Sequence, residues 1–260
     1  MDILAKIVER KKAEVAASKE RIPENLLRTQ ALESRERRPF IERLGRSGPA
    51  GVNIIAEIKR ASPSKGVIRS DLNPIEYATT YEQGGAAALS VLTDQSFFQG
   101  SSEDLHQARN ATSLPVLRKD FLISSYQLYE SAVMGADAIL LIVRILSREQ
   151  LKDYISLGHD LGLDALVEIH TEADLEIATD AGAKLIGINN RNLQTFETNI
   201  NTAVRLKSLL KPDQIAVSES GIHTREDIQE ICNSGIRNFL IGESLVRAEN
   251  PKDFLKSLLT

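Results

Sequence analysis

From about residue 50 onward, the chain alternates between short apolar runs and longer amphipathic segments. Eight runs rich in Val, Ile and Leu are candidate β-strands, at residues 53–59, 87–93, 115–119, 137–143, 164–169, 183–189, 214–220 and 237–243. Strands that alternate with helices form a parallel sheet, because each helix carries the chain back to the same edge. Eight such units over roughly 200 residues predict a single (β/α)8 barrel of the α/β class.

An open, doubly wound sheet is the structural alternative to the barrel. The first candidate strand is not followed by the Gly-x-Gly-x-x-Gly pattern of dinucleotide-binding sheets, which argues against that version. The full length of 260 residues suits one barrel. We therefore prefer the barrel.

The segments between the strands carry helix start and stop signals. Asn73 before Pro74 predicts a helix N-terminus. Residues 124–127 and 147–150 fit the capping box, and residues 171–174 and 224–227 resemble it with a shorter acid. Four glycines stand where helices should end, namely Gly135, Gly162, Gly182 and Gly235.

Residues 1–50 lie outside this alternation and predict an N-terminal helical extension, followed by a barrel at residues 51–260. One amphipathic helix carries Ile3, Ile7 and Val15 on a face, and shorter helices are expected around residues 24–28 and 39–44. Two roles fit the extension, closing the barrel floor or contributing to a substrate site. We expect a cap with some contact to the top face.

Composition excludes several classes of protein. With 42% hydrophobic and 26% charged residues, a net charge of −4 and no blocks of like charge, we expect a soluble protein that binds neither nucleic acid nor membrane. The lone Cys232 permits no intrachain disulfide, and the four histidines show no metal spacing, so we expect a cytoplasmic protein without metal or cofactor. We expect a monomer, with a weak dimer as the alternative.

Active sites of such barrels lie at the carboxyl-terminal ends of the strands, the barrel mouth. Charged and amide side chains end five of the candidate strands, namely Glu57, Lys59, Lys119, Glu168, Asn189 and Glu219. Side chains alternate along a strand, so Glu57 and Lys59 should point into the barrel. The alternative is a purely structural network of ion pairs that covers the end of the apolar core. Six such groups at strand ends favour a site whose charges push pKa values apart.

Glycines close the last two strand ends, in SESGI at 218–222 and LIGESL at 240–245. Free backbone N–H groups at a helix start suit a phosphate, and barrels often bind one after strands seven and eight. A tight turn is the alternative explanation for each glycine.

Longer motifs resemble the indole-3-glycerol-phosphate synthase family. They are EIKRASPSKG at 57–66, LRKDF at 117–121, VE at 167–168, GINNRNL at 187–193, SESGI at 218–222 and IGESL at 241–245. The resemblance spans nearly the whole chain, including the extension. It implies a phosphosugar substrate, 1-(2-carboxyphenylamino)-1-deoxyribulose 5-phosphate, which is converted to indole-3-glycerol phosphate, carbon dioxide and water in tryptophan biosynthesis.

The resemblance also implies residue roles. Lys119 is the general acid that protonates the ketone, and Lys59 is the second cation, although the two could exchange roles. Glu168 is the general base for the dehydration. The remaining members of the catalytic set orient the lysines or hydrogen-bond the substrate, and they are Glu57, Glu219, Asn189 and Ser220.

By the same resemblance, two further groups bind the substrate. The phosphate end consists of Ser62, Arg191, Gly221, Gly242 and Glu243, where Glu243 would contribute its backbone N–H. The ring slot for the anilino group consists of Pro63, Phe98, Phe121, Leu140, Leu193 and Ile241. Ordinary core packing is the alternative for the ring slot, most of all for Leu140 and Ile241.

The loop of residues 60–71 is polar and is broken by Pro63 and Gly66. Loops after barrel strands often act as lids, and we expect this one to order over the substrate.

Three competing functions remain. A phosphoribosylanthranilate isomerase would use a cysteine near the barrel mouth, whereas Cys232 falls within the seventh predicted helix. A Schiff-base aldolase would use Lys59 or Lys119. A non-catalytic phosphate-binding subunit would be expected to have lost some of the acid–base residues.

Overall fold

The computed structural model describes residues 3–33, 36–192 and 195–260. There, eight parallel strands close into a barrel in which each strand pairs with the next and the last pairs with the first. The strands are β1 Asn53–Ile58, β2 Ala88–Leu92, β3 Val116–Lys119, β4 Ala138–Ile142, β5 Asp164–Ile169, β6 Leu185–Asn189, β7 Ile215–Glu219 and β8 Asn238–Ile241. The predicted strands and the barrel are confirmed, and the pairing of β1 with β8 excludes the open sheet.

The strands are mostly apolar between their ends because both of their faces are covered. Every residue of β1, β2, β4, β6 and β8 is buried. Side chains that face the barrel axis, such as Ile55, Leu117 and Leu166, form one apolar cluster. Those that face outward, such as Ile54 and Leu89, pack under the helices in a second cluster. A parallel sheet buried on both faces needs continuous apolar runs rather than alternation.

Helices follow the strands around the outside of the barrel. The described helices are α1 Ile3–Arg21, α2 Glu24–Glu33, α3 Phe40–Gly45, α4 Pro74–Gly84, α5 Gln95–Phe98, α6 Ser102–Asn110, α7 Ser125–Val133, α8 Arg148–Asp160, α9 Glu172–Asp180, α10 Asn201–Lys207, α11 Arg225–Cys232, α12 Glu243–Arg247 and α13 Pro251–Leu259. The predicted N-cap at Asn73 and the reciprocal boxes that begin at Ser147, Thr171 and Thr224 are confirmed.

The capping box predicted at residues 124–127 is wrong. Ser124 does cap α7, by accepting from the N–H of Tyr126 at 3.3 Å. The Gln127 side chain instead accepts from Ile123 N–H at 2.8 Å and donates to Phe121 O at 3.0 Å. Gln127 therefore fixes the loop that leaves β3 rather than the helix start, because that loop offers it both a donor and an acceptor.

The extension reaches both ends of the barrel. At the floor, α3 inserts Phe40 and Leu44 into the axial cluster, and Asp164 accepts from Ile41 N–H at 2.8 Å. At the mouth, the start of α1 lies over the strand ends and contributes Ile7 to the central pocket. Both parts of the expectation are thus met, but by different helices: α3 caps the floor and α1 contacts the top face. The boundary at residue 50 stays a prediction.

Candidate active site

Side chains from five strand ends meet in one buried polar cluster at the barrel mouth. Glu57, Lys119, Glu168, Asn189 and Glu219 line a single pocket. Each lies at the carboxyl end of its strand, and each is at most partly exposed. The alternation of strand side chains, together with barrel closure, brings these residues together from positions spread over more than half of the chain.

The ammonium of Lys119 lies between two carboxylates. Its Nζ is 3.5 Å from Glu168 Oε2 and 3.7 Å from Glu219 Oε2. Burial by itself would lower the pKa of Lys119, but the surrounding carboxyl groups, the charged Glu168 before Glu219 and Glu57, together raise the pKa above its usual value. Lys119 is therefore protonated at neutral pH, which is the state that a proton donor requires.

Glu168 is held in the opposite state, as a charged carboxylate. Its Oε1 accepts from Asn189 Nδ2 at 3.2 Å and lies 3.6 Å from Nε2 of the buried His170. Burial would raise the pKa of Glu168, but the charge of Lys119, the nearby His170 and the hydrogen bond from Asn189 together lower it below its usual value. Burial in turn lowers the pKa of His170, so its imidazole is neutral at pH 7. A charged carboxylate beside a protonated lysine suits acid–base chemistry.

Glu219 differs from Glu168 although both contact Lys119. Burial raises the pKa of Glu219 to about 8, with Glu168 and Glu57 adding to the rise. Its Oε1 is buried without a hydrogen-bond partner among the described residues. Gly187 makes room for it, since a Cβ at that position would lie 2.1 Å from Oε1. Glu219 is thus a protonated acid at neutral pH, with one oxygen left for a further partner.

Lys59 forms a second ion pair at the mouth. Its Nζ lies 2.7 Å from Glu57 Oε1. This carboxylate packs against the backbone of Gly242, where a Cβ would lie 2.3 Å from the same oxygen. The Lys59 side chain is more exposed than that of Glu57, and both line the pocket.

All members of the predicted phosphate end line the same pocket. Ser220 and Gly221 have positive φ values of 68° and 75°, so the chain turns sharply as it leaves β7. Arg191 lies 4.0 Å from Glu243 Oε2, and Glu243 is also paired with Arg247 at 3.1 Å. These cations neutralise the Glu243 carboxylate, which would otherwise repel a phosphate.

The ring slot is formed as an apolar wall of the pocket. Pro63, Phe98, Phe121, Leu140 and Ile241 all line it. The rings of Phe98 and Phe121 are 6.0 Å apart between centroids. Leu193, the sixth predicted member, lies outside the described residues.

Sequence reasoning missed several residues that line or support the pocket. The start of α1 contributes Ile3 and Ile7, which the amphipathic pattern placed on one helix face without a role in the pocket, and Leu4, which the pattern did not mark. His170 stands two positions after Glu168 and could have been found by the same alternation. Phe196, His223 and Ser244 follow strand ends or lie on their loops, where no spacing marks them.

The loop after β1 contains a short antiparallel hairpin in which Ala61–Ser62 pairs with Gly66–Val67. Its Ser62, Pro63 and Ser64 line the pocket. Arg60 anchors the base of the loop, donating to Asp104 Oδ1 at 3.0 Å and to Leu72 O at 3.1 Å. The loop thus has a fixed base and a tip beside the pocket, as a lid requires.

Cys232 lies on α11 and contributes to a different surface depression, with Arg225 and Arg237. It does not line the pocket at the mouth, so the position of the cysteine that an isomerase would need is not matched.

Over residues 3–33, 36–192 and 195–260, no group of three or more His, Cys, Asp or Glu side chains is arranged to hold a metal ion. In the same ranges, no helix is both long and apolar enough to cross a membrane.

Comparisons with known proteins agree with the motifs. The family model described as indole-3-glycerol phosphate synthase matches residues 4–258. An indole-3-glycerol phosphate synthase of Desulfosudis oleivorans is 59% identical, over 100% of this chain and 99% of that protein. One from Syntrophobacter fumaroxidans is 51% identical, over 99% and 97%.

A solved structure of thiamine phosphate pyrophosphorylase from Pyrococcus furiosus superposes with a TM-score of 0.60 and 12% identity. It covers 81% of this chain and 94% of that one. At this identity the likeness shows the barrel fold alone.

Proposed function

The chain belongs to the indole-3-glycerol phosphate synthase family, and we propose that its barrel mouth closes the indole ring of 1-(2-carboxyphenylamino)-1-deoxyribulose 5-phosphate. The reaction forms one carbon–carbon bond and releases carbon dioxide and water. The observation that carries the assignment of roles is the pairing of a protonated Lys119 with a charged Glu168 and a protonated Glu219 in one buried cluster.

Ring closure requires a proton on the ketone oxygen while the ring carbon that bears the carboxylate attacks the ketone carbon. We assign that proton to Lys119, which the charged Glu168 helps to hold in its protonated form. Lys59 lies at the outer edge of the cluster and binds the carboxylate or the phosphate of the substrate. The exchange of roles between the two lysines remains the alternative.

Loss of carbon dioxide returns the electron pair of the broken carbon–carbon bond to the ring system. The hydroxyl group formed in ring closure then takes a proton from Lys59 and leaves as water. Glu168 takes the proton that this elimination releases, because its charged carboxylate is the available base. Asn189 holds Glu168 Oε1 at 3.2 Å and positions it for this step. Glu57 orients Lys59, and Glu219 orients Lys119. Ser220 hydrogen-bonds the substrate from the adjacent turn.

The substrate phosphate would be bound at the other side of the pocket. The backbone N–H groups of Gly221, Gly242 and Glu243 are placed at sharp turns or at the start of α12, where N–H groups lack helical partners. Ser62 and Arg191 complete this end. The anilino ring would lie in the ring slot against Phe98 and Phe121.

The first test of the function is a fluorescence assay for the new indole. The chain has no tryptophan and five tyrosines, so emission excited at the red edge has little protein background. Substrate added to purified protein, without metal or nucleotide, should give growing emission. In Lys119→Met and Glu168→Gln the turnover number should fall about a hundredfold to ten-thousandfold, because each loses a proton-transfer group.

Lys184→Met is the matched control, since Lys184 is exposed and its ion pair with Asp213 lies on the surface. It should turn over like the parent protein. No growth of emission with folded parent protein would remove the proposed activity. Equal turnover in all variants would remove the assigned roles.

We also propose that the enzyme works as a monomer in the cytoplasm, in keeping with a single cysteine and no disulfide pair. Sedimentation equilibrium at micromolar concentration should give the monomer mass of 28.7 kDa. A mass twice that value would favour the dimer.

A further inference from the structure

Lys11 is a buried lysine in the middle of a surface helix. It is 4% exposed, and its neighbour Lys12 is exposed. The Lys11 ammonium lies 2.8 Å from Asp94 Oδ2, 2.8 Å from Asp120 Oδ1 and 2.9 Å from Glu14 Oε2. Asp94 and Asp120 are themselves buried. One cation of α1 thus joins the ends of two barrel strands, because Asp94 follows β2 and Asp120 follows β3.

The two aspartates hold the aromatic residues of the ring slot. Asp94 Oδ1 caps the short helix α5 by accepting from Phe97 N–H at 2.6 Å and Phe98 N–H at 3.1 Å. Asp120 Oδ1 accepts from Phe121 N–H at 2.8 Å. The backbone of each slot phenylalanine is therefore bonded to a carboxylate that Lys11 also contacts.

The third wall of the slot is on α1 itself. Ile7 and Ile3 precede Lys11 by one and two helical turns and share its face. Both line the pocket, as does Leu4. The ion pairs of Lys11 therefore fix the position of α1 relative to the slot and its rotation about its own axis. This in turn fixes where Ile3 and Ile7 lie in the slot.

A gain in folding stability does not by itself explain the buried cluster of Lys11, Asp94 and Asp120. A buried ion pair often stabilises a fold no more than apolar residues of the same size would, whereas it does fix one geometry. The charges are balanced locally, because Arg118 also pairs with Asp120 at 3.2 Å. Burial would lower the pKa of Lys11, yet Asp120 and Asp94 raise it, so the cation persists at any physiological pH.

We propose that Lys11 is a positioning residue that assembles the ring slot from α1, α5 and the loop after β3. It contacts no substrate atom and acts through Asp94 and Asp120. The inference rests on the proposed function, since it takes the slot as the site of the anilino ring.

The test is steady-state kinetics on Lys11→Met, Lys11→Arg and the control Lys12→Met. In Lys11→Met, KM should rise about tenfold, a loss of about 1.4 kcal/mol of binding, while kcat stays within about twofold. The proton-transfer groups are held by each other rather than by Lys11, which is why kcat should persist. Lys11→Arg should recover most of the loss, and Lys12→Met should match the parent.

Lys11→Met leaves two buried carboxylates with one fewer cation and so endangers folding. The double variant Lys11→Met/Asp94→Asn removes one negative charge as well and keeps an amide oxygen to cap α5. It should fold and still show the raised KM. A parent-like KM in the folded variants, with only a lower free energy of unfolding, would overturn the proposal. Absence of turnover in the parent would instead overturn the proposed function.

Discussion

The protonation state of a carboxyl group at the barrel mouth depends on the charges, hydrogen-bond donors and space around it. Glu219 and Glu168 have the same side chain and contact the same lysine. Glu168 receives a hydrogen bond from Asn189 on its other oxygen, whereas Glu219 points Oε1 into the space that Gly187 leaves. Burial raises the pKa of Glu219, with Glu168 and Glu57 adding to the rise, whereas Lys119, His170 and Asn189 together lower the pKa of Glu168.

The free energy of unfolding should therefore depend on pH through Glu219. Its folded pKa of about 8 lies above the ordinary value of 4.5, so the folded state binds this proton more tightly than the unfolded state. That stabilisation is complete below about pH 4.5 and is lost as the pH rises through about 8. Relative to Glu219→Gln, the parent should lose up to about 1.4 kcal/mol per pH unit in this window.

Urea unfolding followed by far-UV circular dichroism at pH 5, 7 and 9 measures this difference. Glu9→Gln serves as the control, because Glu9 is exposed and its ion pair with Lys12 lies on the surface. Parallel stability curves for Glu219→Gln and the parent would show that Glu219 is charged in the folded protein.

Among the secondary-structure elements and loops, the loops after the strands contribute the part of the site that can move. The hairpin after β1 presents Ser62 and Pro63 to the pocket from a base that Arg60 fixes. Its tip has few contacts, with Val67 being 55% exposed. A loop that is anchored at its base and free at its tip can move without disturbing the barrel.

Shortening the hairpin should therefore impair turnover without unfolding the protein. In a variant with residues 62–66 replaced by two glycines, kcat/KM should fall by at least about tenfold, because the substrate loses a positioning wall. The thermal midpoint should stay close to that of the parent. Val67→Ser, on the exposed side of the same hairpin, should change neither quantity. Unchanged kcat and KM in the shortened variant would show that the loop is no lid.

In the molecule as a whole, the two ends of the barrel differ in function: the floor contributes stability and the mouth carries the active site. The floor is closed by apolar packing, with Phe40 fully buried in the axial cluster. The mouth collects charged groups that are costly to bury and that pair with one another. Stability at the floor supports a polar cluster at the mouth that contributes little stability of its own.

Phe40→Ala should lower the stability that the barrel floor provides without changing catalysis at the mouth. It removes a buried ring and should lower the free energy of unfolding by about 3–5 kcal/mol. KM and kcat measured well below the new thermal midpoint should remain within about twofold of the parent. Phe121→Ala, a ring-slot variant of the same chemistry, should instead raise KM. A large kinetic effect of Phe40→Ala would mean that the floor is coupled to the mouth.

The sequence by itself determined the barrel and most of the residues at its mouth. Strand alternation is a local property, so Glu57 and Lys59 could be placed on one face before their neighbours were known. Parallel topology then brings every strand end to one edge, which is why Lys119, Glu168 and Glu219 could be expected together.

How those groups affect one another follows from their packing in three dimensions. The different pKa values of Glu168 and Glu219 depend on burial and on which neighbours each carboxyl group meets, including the Asn189 amide at Glu168. The contact of Lys11 with Asp94 and Asp120 joins residues that are 83 and 109 positions apart in the chain. Distances of this kind are fixed by how helices pack on the closed barrel, and no local pattern in the sequence records them.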